Sequence, residues 1–297
     1  MGDRLMLLDT PSLYFRAFYG VPDSVRSPRD EPVNAVRGLL TMIAFLVEKY
    51  RPQRLVATMD HDWRPDFRVA LLPSYKLHRV ATGDDEEIPD DLSPQVPVIE
   101  AVLTAIGIPV LGAAGFEADD VIGTLATRHD GPVDVVTGDR DLFQLVDDQR
   151  GVRVLYTQKG IANIAVYDEA AVTEKYGIPG RAYADYATLR GDPSDGLPGV
   201  PGVGDKTAAS LITKYGDLTS LLAALDAGAD GLAKVAGARA YVDAARTVVA
   251  VACDVDVTAH DATLSREPAD PAALVELSER WGLDSPLNRL LSVLAAT

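Results

Sequence analysis

The stretch that most constrains this chain is residues 115–120, Gly-Phe-Glu-Ala-Asp-Asp. Its carboxylates, Glu117, Asp119 and Asp120, fall within four residues, and an apolar helical run follows through Val121, Ile122, Leu125 and Ala126. The macrodipole favours acids at a helix N-terminus. Capping accounts for such residues at least as well as function does. Three in one turn nevertheless repel one another, and a dipole does not need three. The missing positive partner points to a divalent cation, provided that distant carboxylates are delivered to the same place.

The chain supplies them at strand ends. Residues 5–8 are a short apolar run ending in Asp9, and residues 54–59 are a second ending in Asp60. Buried parallel strands have this appearance. Residues 133–136 read as another strand, followed by Thr137-Gly138-Asp139-Arg140-Asp141. Ligands bind beyond the carboxyl ends of the strands in an open parallel sheet. Asp9, Asp60, Asp139 and Asp141 therefore share one rim, on which the helix after residue 117 also starts. Asp192 and Asp195 lie three apart in a Gly/Pro-rich turn. Taken singly, turn chemistry explains that pair and helix capping explains Asp139.

Helical patterns fill the intervals: 10–19, where Pro11 suits a first turn, then 33–50 and 96–106. A short strand is expected at 109–111, and late strands at 152–155 and 164–166. After Tyr167 strand signals become sparse, and 168–176, 181–189, 206–215, 218–225, 239–251, 270–281 and 286–294 all read as helices. The order is α/β first, then all-helical, without internal repeats.

Residues 61–91 break the rhythm, being too long for an ordinary connection. The first part interleaves Arg64, Arg68, Lys76 and Arg79 with Trp63, Phe67 and Tyr75; residues 83–91 hold six acids and no base. Basic and aromatic residues in alternation suit single-stranded nucleic acid, although isolated bases in a loop are usually solvated surface. The 199–204 segment, Gly-Val-Pro-Gly-Val-Gly, precedes a helix at Asp205-Lys206-Thr207. Such turns aim N–H groups at phosphate, and a plain interhelical turn fits equally well. It is not a P-loop.

Net charge of −16 and a pI near 4.6 argue against nucleic acid if read naively. Cations bound among gathered acids return part of that charge. The single Cys253 excludes an internal disulfide and a cysteine zinc site, and the four histidines form no ligand-spaced set. Oxygen donors alone suit Mg²⁺ or Mn²⁺, and an all-carboxylate rim fits two-metal phosphodiester hydrolysis. The N-terminus carries no signal-peptide pattern and no apolar run approaches a membrane span. A cytoplasmic setting is the expectation.

The sequence resembles the bacterial 5′-nuclease family: flap endonucleases and 5′-3′ exonucleases that also form the N-terminal domain of DNA polymerase I. The likeness is carried by Leu7-Leu8-Asp9 with Phe15-Arg16-Ala17-Phe18, by Met59-Asp60, by Phe67-Arg68 and by the 73–79 block, Pro-Ser-Tyr-Lys-Leu-His-Arg. It continues through the 116–122 and 137–146 blocks to the 189–208 block, in the family's order.

The resemblance implies an α/β domain with a PIN-like or Rossmann-like central sheet and a helical arch, followed by an all-helical helix-hairpin-helix (SAM-like) domain. The expected bounds are 1–167, with the arch at about 61–95, then 168–260, with the hairpin at about 189–215. Residues 261–297 are expected to pack back on the nuclease domain. It further implies a metal centre of Asp9, Asp60, Glu117, Asp119, Asp120, Asp139, Asp141, Asp192 and Asp195, holding two or more Mg²⁺ or Mn²⁺ ions. Lys76, Arg79 and Arg16 are implied as catalytic. Tyr75, Arg68, Gly199, Gly202, Gly204, Lys206 and Thr207 are implied as DNA-binding, with K⁺ in the hairpin. The implied partners are DNA with a 5′ flap, nick or 5′ end, cut by a monomer during replication and repair.

Two departures stand out. Thr10-Pro11 follows Asp9 where many relatives have Gly, and 83–87 is an acidic addition beyond the arch. No polymerase region follows Thr297, so a stand-alone form is expected. A haloacid-dehalogenase phosphatase would need Asp-x-Asp after the first strand and an acid at 143; Pro11 and Phe143 stand there. A PIN-type ribonuclease would lack the basic segment and hairpin domain. The non-enzyme alternative is a DNA-binding scaffold with a non-catalytic metal site.

Overall fold

The computed structural model describes residues 3–81, 86–158, 160–258 and 260–296. β1 (Leu5–Asp9) is buried along its whole length and runs parallel to β2 (Arg54–Thr58) on one side and β4 (Val133–Thr137) on the other. β3 (Val110–Leu111) extends the sheet beyond β2; β5 (Val152–Tyr156) extends it beyond β4. β6 (Ala165–Tyr167) closes the β5 edge antiparallel, giving the order β3-β2-β1-β4-β5-β6. Side chains alternate across a strand. Met6, Leu8, Leu55, Ala57, Val136 and Leu155 therefore join one core, and Leu5, Leu7, Val56, Val133, Val135 and Val154 the other.

The first core lies under α1 (Thr10–Gly20), α2 (Asn34–Tyr50) and, further along the chain, α4 (Val96–Ile106). Between α2 and α4 runs the 61–95 segment. It holds the short α3 (Asp66–Leu71) and 3-10 turns at Leu77–Arg79 and Ser93–Gln95. Among the described residues this segment is not a long arched helix. It lies down on the sheet's C-terminal edge, its Lys76 N–H donating to the Asp195 carbonyl at 3.0 Å. Thr82, together with Gly83, Asp84 and Asp85 of the acidic addition, lies outside the described residues. Glu86 bridges back to Val80.

α5 (Ala118–Arg128) covers the second core, together with α6 (Glu169–Tyr176), α7 (Tyr183–Arg190), α8 (Asp205–Tyr215), α9 (Leu218–Asp226), α10 (Ala233–Gly237) and α11 (Arg239–Val249). The return of α11 past α7 and α3 ties the helical region to the sheet. α12 (Pro271–Trp281) packs on α4, and α13 (Asp284–Ala295) on α2. Residues 262–264 run along β2, where Leu55 N–H meets the Ala262 carbonyl at 2.9 Å.

The chain places β1, β2 and β3 progressively to one side, then crosses to β4 on the other. The switch point of the sheet lies between β1 and β4. Open α/β sheets bind ligands in the crevice outside such a point.

Candidate metal centre and nucleic-acid interface

Asp9 ends β1 and caps α1, its Oδ1 accepting the Ser12 N–H at 3.2 Å. Its Oδ2 accepts from the Thr137 hydroxyl at 2.5 Å, across the switch point. Thr137 also takes the Asp139 N–H at 2.8 Å, and Asp139 takes the Asp141 N–H at 2.8 Å. Thr137 thus couples the ends of β1 and β4, a role carried in sequence only by its place before Gly138-Asp139. Asp60, just past β2, accepts the Ala118 N–H of α5 at 2.7 Å. Asp9, Asp60, Glu117, Asp119 and Asp139 line one cavity of about 200 Å³ with Lys76, Arg79, Ser12, Phe15 and Glu86. Glu86 was not read from the sequence as a site residue; its return to the rim depends on the bridge to Val80.

A second acidic group adjoins the first. Asp141, Asp192 and Asp195 are buried; Asp139, Asp195 and Asp192 all act electrostatically on Asp141, and Asp139 acts on Asp9 as well. The turn that carries Asp192 and Asp195 is pinned by Gly196 at φ +71°, where a Cβ would run into the Ser74 carbonyl.

Burial lifts Asp60 to about 7, helped by Glu117 and Asp9 and opposed by Lys76. Burial likewise lifts Asp9 and Asp195 to about 6. Asp119 is held well above the usual carboxylate range by burial and then by Asp9 and Asp139; Asp141 by burial and then by Asp139 and Asp195. Burial opposes the charge on Lys76, but Glu117, Tyr75 and Asp195 more than reverse this and hold its ammonium well above the ordinary lysine range.

These acids fit a hard divalent cation. The donors are oxygen throughout, their charge is under-compensated, and Asp141 Oδ1 is buried without a hydrogen-bond partner. Among the described residues, no three such side chains converge on one point. Basic side chains are interleaved instead: Lys76 pairs with Glu117, Arg79 with Asp195 at 3.0 Å, and Arg140 and Arg190 with Asp192 at 3.0 and 3.1 Å.

Three sequence expectations need correction. Asp120 is fully buried beneath the rim, with both oxygens engaged by Arg68 and by the N–H groups of Glu117 and Ala252. Arg68 does not present itself to DNA: it is 3% exposed, and Glu117, Asp120 and the Val248 and Ala250 carbonyls surround it. Tyr75 is 4% exposed and donates to Glu117 Oε2 at 2.8 Å, so its ring is no stacking platform here. The physical reason is shared. Glu117 on the rim and Asp120 beneath it draw in the nearest donors, and the neighbouring Phe67 takes the exposed position.

Arg16 lies beside the rim with Nη1 on the Gln158 carbonyl at 3.2 Å and a buried, unpartnered Nε. The hairpin stands apart, between α7 and α8. Gly199 sits at φ +73°, packed so closely on the Arg190 carbonyl that a Cβ would not fit, and its N–H meets the Tyr241 hydroxyl at 3.0 Å. Gly204 begins α8 without a side-chain cap, leaving the first-turn N–H groups open, with Lys206 and Thr207 exposed beside them. The Gly202 carbonyl accepts from Lys234 Nζ at 2.7 Å.

A mostly parallel sheet with an acidic crevice at its switch point, joined to a Gly-turn helical domain, defines the class of nucleases with an all-carboxylate site. Comparison with known proteins agrees. Residues 4–177 match the 5′-3′ exonuclease N-terminal resolvase-like domain, and residues 178–272 match the 5′-3′ exonuclease C-terminal SAM fold. A 5′-3′ exonuclease of Streptomyces coelicolor is 58% identical over 301 residues, covering 98% of this chain and 100% of that one. A 5′-3′ exonuclease of Mycobacterium tuberculosis is 51% identical, covering 99% and 98%. Bacteriophage T5 flap endonuclease, solved with DNA and metal ions, has the same fold: TM-score 0.66 at 16% identity, covering 98% of this chain and 99% of that one. The chain belongs to the 5′-3′ exonuclease family. That membership sets aside the haloacid-dehalogenase alternative.

Proposed function

We propose that this chain is a structure-specific 5′ nuclease. It hydrolyses DNA phosphodiesters as a 5′-3′ exonuclease and 5′-flap endonuclease, removing flaps or primers in bacterial replication and repair. The observation that supports this best is the delivery of Asp9, Asp60, Glu117, Asp119 and Asp139, from separate strand ends and a helix start, to one small cavity, with Asp141, Asp192 and Asp195 alongside. These eight acids would hold two or more Mg²⁺ or Mn²⁺ ions, which supply an activated water and charge stabilisation at the attacking and leaving oxygens.

The chain's own residues do the rest. Lys76 and Arg79, now paired with Glu117 and Asp195, would turn to the scissile phosphate and stabilise its developing charge. Arg16 would approach from α1, its buried Nε still lacking a partner. The N–H groups at the start of α8, with Lys206 and Thr207, would hold duplex phosphates without reading bases. K⁺ in the hairpin would compete with the Lys234 ammonium for the Gly202 carbonyl. The protein would act as a monomer in the cytosol on 5′ flaps, nicks and 5′ ends.

The test is cleavage of a 5′-flap DNA and of a small phosphate ester across a Mg²⁺ titration. Metal-dependent release of the flap, with the ester untouched, is expected. Hydrolysis of the ester without DNA cleavage would overturn the reading.

A further inference from the structure

Glu117 and Asp120 open α5 with a reciprocal cap. The Glu117 side chain takes the Asp120 N–H, and Asp120 Oδ2 takes the Glu117 N–H at 3.2 Å. Arg68 inserts its guanidinium into this turn from α3. A guanidinium carries five N–H donors, and the structure gives this one five acceptor contacts. Nε donates to the Val248 carbonyl at 3.0 Å. Nη1 donates to Glu117 Oε2 and to Asp120 Oδ2 at 2.8 Å. Nη2 donates to Asp120 Oδ1 at 2.7 Å and to the Ala250 carbonyl at 3.4 Å.

Asp120 is used up in the same way. Oδ1 also accepts the Ala252 N–H at 2.8 Å, so each oxygen takes one guanidinium bond and one backbone bond. A carboxylate has about four lone-pair positions, and none here is left for an ion. Glu117 differs. Its Oε2 is shared by Arg68 and the Tyr75 hydroxyl, while Oε1 meets Lys76 on the cavity side.

We propose that Arg68 and Asp120 are positioning residues, neither DNA contact nor metal ligand. They form a buried strut that fixes which oxygen of Glu117 faces the rim and ties it to residues 248–252. The proposal rests on reading the rim as the nuclease centre. The strut joins three remote parts of the chain: α3, which leads into the Lys76 and Arg79 segment; the start of α5; and the end of α11. The Val248 and Ala250 carbonyls belong to the C-terminal end of α11, where the helix dipole favours a cation. Arg68 therefore serves as a cap for a helix in the other region of the molecule. Displacement of α3 or α11 reaches Glu117 through a single side chain. Lysine cannot reproduce the two-pronged geometry, so Arg68→Lys keeps the charge and removes the strut.

The test compares Arg68→Lys, Asp120→Asn and the double variant. Asp119→Asn is the reference for a lost rim acid and Lys206→Ala the reference for a lost phosphate contact. Four quantities are measured on the full chain: single-turnover flap cleavage at saturating DNA, Mn²⁺ affinity without DNA by calorimetry, flap affinity in EDTA across a salt series, and melting temperature. Each single variant should slow cleavage by about tenfold or more, as loss of a group orienting a ligand does. The double variant should be no slower than the worse single. Mn²⁺ should still bind, more weakly, and EDTA-state DNA affinity and its salt slope should not change.

Asp120 is a ligand after all if Asp120→Asn loses Mn²⁺ as completely as Asp119→Asn while Arg68→Lys retains it. Arg68 contacts DNA if Arg68→Lys, like Lys206→Ala, weakens binding and flattens the salt slope by about one unit. A lower melting temperature with an unchanged rate at saturation makes the pair merely structural. Any of these outcomes overturns the proposal. Should the charged variants fail to fold, Tyr75→Phe removes the second donor from Glu117 Oε2. A slower single turnover is then expected, and a parental rate would count against the strut. If the parent itself cuts no flap DNA, the nuclease reading fails, while the coupling of Arg68 to Asp120 is still read from Mn²⁺ affinity and melting temperature.

Discussion

β4 has acids near its start and just beyond its end, and the two ends are built on opposite plans. Near its start, Asp134 is fully buried between Arg4 at 2.6 Å and Arg153 at 2.7 Å. Two guanidiniums from the chain itself surround one carboxylate, and the region is complete. Beyond its end, Asp139 and Asp141 join Asp9, Asp60, Glu117, Asp119, Asp192 and Asp195, interleaved with Lys76, Arg79, Arg140 and Arg190. Here the acids outnumber their cations, and burial leaves several carboxyls lifted to about 6 or 7. A buried acid placed for stability brings its counter-charge with it; one placed for a ligand leaves charge to be supplied from outside.

The sharpest way to break this contrast is Asp139→Asn, which keeps shape and removes one charge. Cleavage in Mg²⁺ should be abolished, with flap affinity in EDTA equal to or tighter than the parent's, because repulsion of the DNA backbone is reduced. Weakened EDTA binding in step with a lower melting temperature would make the rim acids structural, like Asp134.

Lys76→Ala comes next. Single-turnover cleavage should slow by roughly a hundredfold, the scale of a lost electrostatic donor, with a milder effect on duplex binding. Unchanged single-turnover rates would remove Lys76 from the chemistry.

Asp134→Asn probes the other end. Loss of the ionised acceptor for two arginines should cost about 2 kcal/mol, the scale of charge-assisted hydrogen bonds, read as a shift in denaturant midpoint. The rate per folded enzyme should not change. A loss of rate with stability intact would dissolve the distinction between the two ends.

The smallest effect is one of pH. Asp60, Asp9 and Asp195 have folded values of about 7, 6 and 6 against an ordinary 3.8, so the metal-free fold binds more protons than the unfolded chain between these limits. Stability from these groups is fully present below about 4 and is lost as pH rises through 6 to 7. In EDTA the melting temperature should fall from pH 5 to pH 8. Saturating Mg²⁺ should reverse the slope, since a cation favours the ionised acids. A flat profile in EDTA would mean that the rim carries its own compensation, as the Asp134 end does.

Much of the fold was legible because its signals are local. The apolar runs ending in Asp9 and Asp60 read as buried parallel strands, and β1 and β2 are such strands. The late strands pair antiparallel as β5 and β6. The 61–95 segment was harder. Its basic and aromatic residues suit contact with single-stranded nucleic acid and the resemblance implies an arch, yet Tyr75 and Arg68 point inward and only part of the segment lines the rim. Their destination is set by Glu117 and Asp120, about fifty positions away in sequence. No periodicity within the segment encodes that.

The sequence by itself determined that acids would gather at one rim. A strand-end position is fixed by the chain's own hydrophobic pattern, and parallel strands deliver all such ends to the same side. Tertiary structure alone decided the division of labour between neighbours. Asp119 and Asp120 are adjacent, chemically identical and in the same helical turn, but successive helix positions point about 100° apart. Asp119 lines the cavity; Asp120 meets Arg68 and the N–H of Ala252, brought there by α3 and the end of α11. Which of two like carboxylates keeps a free lone pair depends on donors that only the folded chain assembles.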